Sequence, residues 1–168
     1  MTISVGDTLP QCTLTYVPYD PNVSSTACPA PVPYNLGKEL KGKKAVIFAI
    51  PGAFTPTCSE QHAPAFLEKF DELKKAGVDV IICTAANDGF VMGAFGRHLG
   101  VKDKIIMASE GGSDFFQQLG LTLDLSSRGM GIRSKRFALV VDDLKVTYVG
   151  VDEQGLDRSG PDAVLKSL

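Results

Sequence analysis

The segment Pro51-Gly52-Ala53-Phe54-Thr55-Pro56-Thr57-Cys58 sets a hydroxyl three residues before a thiol, inside a loop stiffened by two prolines. A cysteine reacts as its thiolate, and neighbours that stabilise negative charge prepare it to attack. The Thr55 hydroxyl can accept one hydrogen bond and donate another, so it can face a thiolate and a polar substrate together. Pro51 and Pro56 fix the loop and remove two backbone donors. The N–H groups of Thr57 and Cys58 remain to hold a developing negative charge. The competing reading makes Cys58 a small buried hydrophobe and Thr55 a plain helix cap. A packing cysteine has no need of so constrained an approach.

The flanking segments say what positions this thiol. Residues 45–50, AVIFAI, are short, apolar and ended by Pro51, which predicts a buried central strand. Phe66, Leu67, Phe70 and Leu73 then follow a helical period, so a helix runs from near Cys58 to about Lys75, with Gly77 as its stop. Pro64 is expected to kink its first turns. Cys58 therefore sits at a helix N-terminus and at the carboxyl edge of a sheet, where α/β folds build sites. Free N–H groups and the helix dipole there favour thiolate over thiol. His62 lies one turn further on and is read as structural or supporting. Arg136 opens a later strand and is a candidate cation for the sheet edge, together with Arg128, Arg133 and Lys135.

Further elements can be read from the same patterns. Strands are expected at 13–17, 78–84, 104–108, 136–141 and 145–151, the last two joined as a hairpin. Helices are expected at 90–99, ended by Gly100, at 113–119, closed by Gly120, and from Ser159-Gly160-Pro161-Asp162 onward. Residues 18–33 read as a long proline-rich loop that contains Cys28. The alternation predicts an α/β fold, a mixed sheet with helices on both faces, formed by residues 1–168 as one domain.

Composition narrows the function. A net charge of −2 argues against a dedicated nucleic-acid surface. No run is long and apolar enough to span a membrane. The N-terminus lacks the pattern of a secretory signal, so cytoplasm is the expected location. The chain ends Lys166-Ser167-Leu168, a transposed and weak form of the peroxisomal Ser-Lys-Leu address. Four cysteines, at 12, 28, 58 and 83, and two histidines form neither a C-x-x-C nor a metal cluster, so no metal is expected.

Pro51-x-x-x-Thr55-x-x-Cys58 resembles the active-site signature of the peroxiredoxins. The longer string PGAFTPTC is similar to that of the type-5 (atypical, type II) branch, especially its fungal members. The similarity extends to VGDTLP, GVDVIICTAANDGFVM and SKRFALVVDD, and so to nearly the whole chain. The resemblance implies a thioredoxin fold and a thiol peroxidase without metal, haem or flavin. It implies that Cys58 is the peroxidatic cysteine, becoming a sulfenic acid as it cleaves a hydroperoxide. Thr55 matches the family threonine that orients the peroxide, and Arg136 the family arginine. The resemblance also implies a homodimer, with thioredoxin, or glutaredoxin and glutathione, as reductant. The alternatives are a redox sensor or holdase using the same thiol, and a glutaredoxin- or glutathione-dependent peroxidase that has no internal resolving cysteine or resolves through Cys83.

Two cysteines are candidates to resolve the sulfenic acid. The surroundings of Cys28 are similar to the fungal loop that carries a resolving cysteine on the neighbouring subunit. Cys83 matches the second cysteine of plant type II members. A loop residue can travel to Cys58, whereas a strand residue needs local unfolding, so Cys28 is preferred and Cys83 is expected to be a packing residue.

Overall fold

The structure, a computed structural model, describes residues 1–168. Its nine strands are β1 (Thr13–Tyr16), β2 (Val32–Asn35), β3 (Lys44–Ala49), β4 (Val80–Ala85), β5 (Ile106–Ser109), β6 (Thr122–Asp124), β7 (Ile132–Ser134), β8 (Arg136–Asp142) and β9 (Lys145–Asp152). Its six α-helices are α1 (Leu36–Glu39), α2 (Ala63–Glu68), α3 (Phe70–Lys75), α4 (Gly89–Leu99), α5 (Asp114–Leu119) and α6 (Pro161–Ser167). Seven strands form one mixed sheet in the order β2-β1-β5-β4-β3-β8-β9, while β6 and β7 pair separately. Strands β3, β4 and β5 run parallel, and β8 lies antiparallel to β3.

Both faces of the sheet are covered, as the unbroken apolar runs require. Val46, Phe48 and Ile50 face one core with Cys58, Phe66, Met92, Phe95 and Val164. Ala45, Ile47 and Ala49 face the other, with Leu36, Phe115, Phe116 and Leu119. In the first core Phe66 stacks on Phe48 at 4.1 Å between centroids, which pins α2 to β3. Truncating Phe66 to alanine would cost about 3–5 kcal/mol through lost burial and a cavity.

The helix that carries Cys58 differs from a plain α-helix. Pro56 and Thr57 are already helical, so the helix starts slightly earlier than its apolar pattern suggests. Cys58–His62 then forms a π-turn, closed by the Ala63 N–H on the Cys58 carbonyl. Pro64 explains it. Proline supplies no N–H, and its ring collides with the carbonyl four residues back. Widening the turn relieves the collision, so the expected kink takes the form of a π-bulge.

Helix α4 begins with the Asp88 carboxylate accepting from the Val91 N–H at 2.9 Å and stops at Gly100, where φ is +68°. Two of its glycines are spaces for the loop at 17–31. A Cβ on Gly93 would lie 2.9 Å from Val17 Cγ2, and one on Gly89 would lie 2.7 Å from Pro31 Cγ. Gly93, inside the helix, costs about 1 kcal/mol relative to alanine. Here that cost permits close seating of the loop.

Candidate active site

The register of the sheet brings the site together. Ala49 pairs with Phe137 across β3 and β8, so Ile50 and Arg136 are neighbours at the edge where β3 ends. Phe137 faces the second core and Ala138 the first. By strand alternation Arg136 projects toward the first core, as Ala138 does. Cys58 lies there, 1% exposed. Arg136 Nη2 donates to Cys58 Sγ at 3.3 Å.

The same guanidinium is held from behind. Arg136 Nη1 lies 3.1 Å from His62 Nδ1, and His62 Nε2 lies 2.9 Å from the Ser159 carbonyl. A carbonyl only accepts and a guanidinium only donates, which fixes the tautomer. His62 carries its proton on Nε2 and offers the Nδ1 lone pair to Arg136. Burial pulls its pKa down to about 3, the Ser159 hydrogen bond opposes this, and the Arg136 charge pulls further down. His62 is therefore neutral near pH 7 and adds no charge against the arginine.

Ser159 is itself fixed. The Asp152 carboxylate accepts from Ser159 Oγ at 2.6 Å, from Ser159 N at 2.8 Å, and from the N–H groups of Asp157 and Arg158 at 3.0 Å each. Burial raises the Asp152 carboxyl, but the four hydrogen bonds outweigh it and hold it below its ordinary range. A continuous set of contacts thus runs from Asp152 through Ser159, His62 and Arg136 to the sulfur.

The loop before Cys58 is tied at three successive carbonyls. Ser134 Oγ donates to the Ile50 carbonyl at 2.9 Å, Arg133 Nη1 to the Pro51 carbonyl at 3.2 Å, and Thr55 Oγ1 to the Gly52 carbonyl at 2.7 Å. The Ala53 N–H donates to Asn87 Oδ1 at 2.8 Å. Phe54 adopts φ +59°, rare for a bulky residue, and its ring packs on Phe95 at 5.1 Å. The first helical bond, from Ser59 N to the Thr55 carbonyl at 2.9 Å, makes Thr55 the N-cap by backbone. Its side chain turns to Gly52 instead of capping the helix. The N–H groups of Thr57 and Cys58 accordingly have no backbone or side-chain acceptor.

The structure thus brings Cys58 and His62 to the two arms of Arg136, with Pro51 and Thr55 in the adjoining loop and Thr57 at the start of the helix. Arg133 belongs to this neighbourhood through Pro51, and its Nε also donates to the Met130 carbonyl at 2.8 Å. Sequence reasoning missed Arg133 as a fastener of the loop, and Asn87 and Ser134 altogether. The Asn87-Asp88-Gly89 turn carried a signal for one of them. Strands β3 and β4 run parallel, with Ala49 opposite Thr84, so the loops that leave the two strands meet at the same edge.

The other thiols stand apart. Cys83 is fully buried on β4, in the same apolar core as Cys58. Burial, then the nearby Cys58, hold its thiol well above the ordinary range. Cys12 is pushed up to about 11 by burial and by Glu110 and Asp114. Cys28 is exposed on the loop over α4, and its one polar contact is a 3.9 Å approach to the Thr26 carbonyl.

Comparison with known proteins gives this arrangement its family. The Redoxin family profile matches residues 4–165. A protein of Lipomyces kononenkoae, provisionally named a peroxisomal peroxiredoxin, is 48% identical over 91% of this chain and 93% of its own length. Peroxiredoxin-2B of Arabidopsis thaliana is 41% identical over 99% of this chain and 98% of its own. The chain belongs to the peroxiredoxin family. Reduced Prx3 of Vibrio vulnificus in complex with hydrogen peroxide superposes on this peroxiredoxin with a TM-score of 0.87, at 35% identity and 99% coverage of both chains. The peroxiredoxin has the thioredoxin fold expected of it and is a thiol peroxidase.

Proposed function

We propose that residues 1–168 act as one peroxidase domain in which Cys58 is the peroxidatic thiolate. The observation that carries this reading is Arg136 Nη2 at 3.3 Å from the Cys58 sulfur, on the first turn of a helix. The reading assigns each neighbour a part. The Thr55 donor is spent on Gly52, so its oxygen accepts the peroxide O–H. Arg136 and the free N–H groups of Thr57 and Cys58 stabilise the charge that develops as the O–O bond breaks. Pro51 holds the loop edge and keeps a competing N–H out of the site.

The sulfur attacks the terminal oxygen of ROOH. The O–O electron pair leaves on RO⁻, which takes a proton from water, giving ROH and Cys58–SOH. Sulfur is oxidised by two electrons and the O–O bond is reduced. Substrates are hydrogen peroxide and alkyl hydroperoxides. Cys28 of a partner subunit then displaces hydroxide from Cys58–SOH, forming a disulfide and, with the thiol proton, water. Thioredoxin reduces that disulfide and regenerates both thiols. The exposure of Cys28 supports it as the resolver over Cys83, whose fully buried strand position leaves it no path without local unfolding.

The experiment is peroxide consumption with thioredoxin, read beside non-reducing gels after one equivalent of peroxide. Cys58→Ser abolishes turnover, and Cys28→Ser abolishes the covalent dimer while Cys83→Ser retains it. Dimer loss in Cys83→Ser alone reverses the assignment. Turnover of Cys28→Ser with glutathione and glutaredoxin marks the reductant as those instead. The homodimer is tested by sedimentation of the reduced protein. Cytoplasm is the proposed location and the peroxisome the alternative, which the name of the Lipomyces relative favours. Imaging of a chain tagged at its N-terminus separates them.

A further inference from the structure

The loop at 17–31 is fastened to the rest of the protein in an unusual way. Its internal bonds are local, such as Val23 N to Asp20 O and Ala27 N to Ser24 O. A single hydrogen bond joins it to another element: Arg97 Nη2 of α4 donates to the Ala27 carbonyl at 3.2 Å. The bonded carbonyl belongs to the residue immediately before Cys28. Between the loop, α4 and β5 lies an open cavity of about 530 Å³, lined by Tyr19, Ser25 and Pro29 of the loop and by Gly96 and Met107. The two ends of the loop press into α4 at Gly93 and Gly89. Between those ends, the Ala27 carbonyl is the loop's one hydrogen-bonded tie to another element.

We infer that Arg97 is a positioning residue for the resolving step. This rests on the reading that Cys28 resolves Cys58. Arg97 fixes the peptide that precedes Cys28, and no other hydrogen bond ties the loop to a neighbouring element. The thiol is therefore presented outward at a defined place, ready for the Cys58 sulfenic acid of a second copy. The step it serves is Cys58–S–OH + HS–Cys28 → Cys58–S–S–Cys28 + H₂O. Without the Arg97 bond the loop samples many positions, and the effective concentration of Cys28 at the sulfenic acid falls. Arg97 touches neither sulfur in this arrangement, so the attack of Cys58 on peroxide does not depend on it.

The test separates the two steps. Peroxide reactivity of Cys58 is measured by competition with a haem peroxidase. Disulfide formation is followed by rapid quench with an alkylating agent and non-reducing gels. Arg97→Ala is expected to leave the first rate unchanged and to slow the second by about three- to tenfold, the equilibrium worth of one hydrogen bond. More Cys58 then passes to sulfinic acid under excess peroxide. Arg97→Lys, which keeps a donor, restores part of the rate. Gly93→Ala, which would push Val17 out of its notch, slows the second step in the same way. A wild-type or faster disulfide rate in Arg97→Ala overturns the inference. Cys28→Ser run alongside distinguishes the deeper failure. If that variant still forms the disulfide at the wild-type rate, the assignment of Cys28 is wrong, and the role of Arg97 falls with it.

Discussion

Arg136, at the first position of β8, sets its Nη2 3.3 Å from the sulfur of Cys58. The other arm of the guanidinium is occupied by His62 at 3.1 Å, so the arginine cannot swing away without breaking that contact. A rigid donor of this kind acts on charge as it develops, because it is already oriented before the reaction begins.

Replacing Arg136 by lysine keeps a positive charge but loses the planar fork that reaches Cys58 and His62 together. The rate constant of Cys58 with hydrogen peroxide is expected to fall about 100-fold, the usual scale for removing one preorganised donor. Competition kinetics measure it, with thermal unfolding as the check on folding. A loss of less than about threefold would remove Arg136 from the reaction.

Thr55 separates shape from hydrogen bonding. Thr55→Val retains the branched side chain and removes the hydroxyl, so the Gly52 carbonyl loses its donor and the peroxide loses the acceptor proposed for it. Activity is expected to drop about 10- to 100-fold, within the scale of losing one oriented polar contact. Thr55→Ser is expected to stay near wild type. Equal rates in all three proteins would assign Thr55 to loop structure alone.

His62 links the site to acid stability. Its folded pKa, about 3, lies below the ordinary histidine value of 6.5, chiefly because of burial. Between these two values the unfolded chain binds the proton and the native one does not. The native state therefore loses stability as pH falls from about 6.5 toward 3, at on the order of 1 kcal/mol per pH unit. His62→Leu removes this dependence but leaves the Ser159 carbonyl and one Arg136 arm unpaired, at a cost of about 1–3 kcal/mol at pH 7. Urea unfolding at several pH values should give a flatter acid limb for the variant. Parallel curves for the two proteins would contradict the buried neutral histidine.

Much of this site was legible because its parts are close in sequence. The apolar run before Pro51, the helical period after Cys58 and the intervening hydroxyl place the thiol at a sheet edge without any tertiary information. The β8–β9 hairpin and the Gly100 stop of α4 were legible for the same local reason. The connections of His62 were not, since Ser159 is 97 residues away and its carbonyl has no sequence signature. Nor were β2 or the β6–β7 pair. Val32–Asn35 begins in proline-rich sequence, and three-residue strands show too little alternation to be distinguished from loop. Arg133 was indistinguishable from a solvated surface charge until the β7 strand set it against the Pro51 carbonyl.

The central claim is that Cys58, among four cysteines, reacts with the peroxide. The most direct measurement treats the fully reduced protein with one equivalent of hydrogen peroxide, blocks remaining thiols with an alkylating agent, and maps each cysteine by mass spectrometry. The account predicts that Cys58 is protected from alkylation and recovered in a disulfide with Cys28, while Cys12 and Cys83 carry the alkyl label. Recovery of alkylated Cys58 while Cys12, Cys28 or Cys83 is oxidised would contradict it.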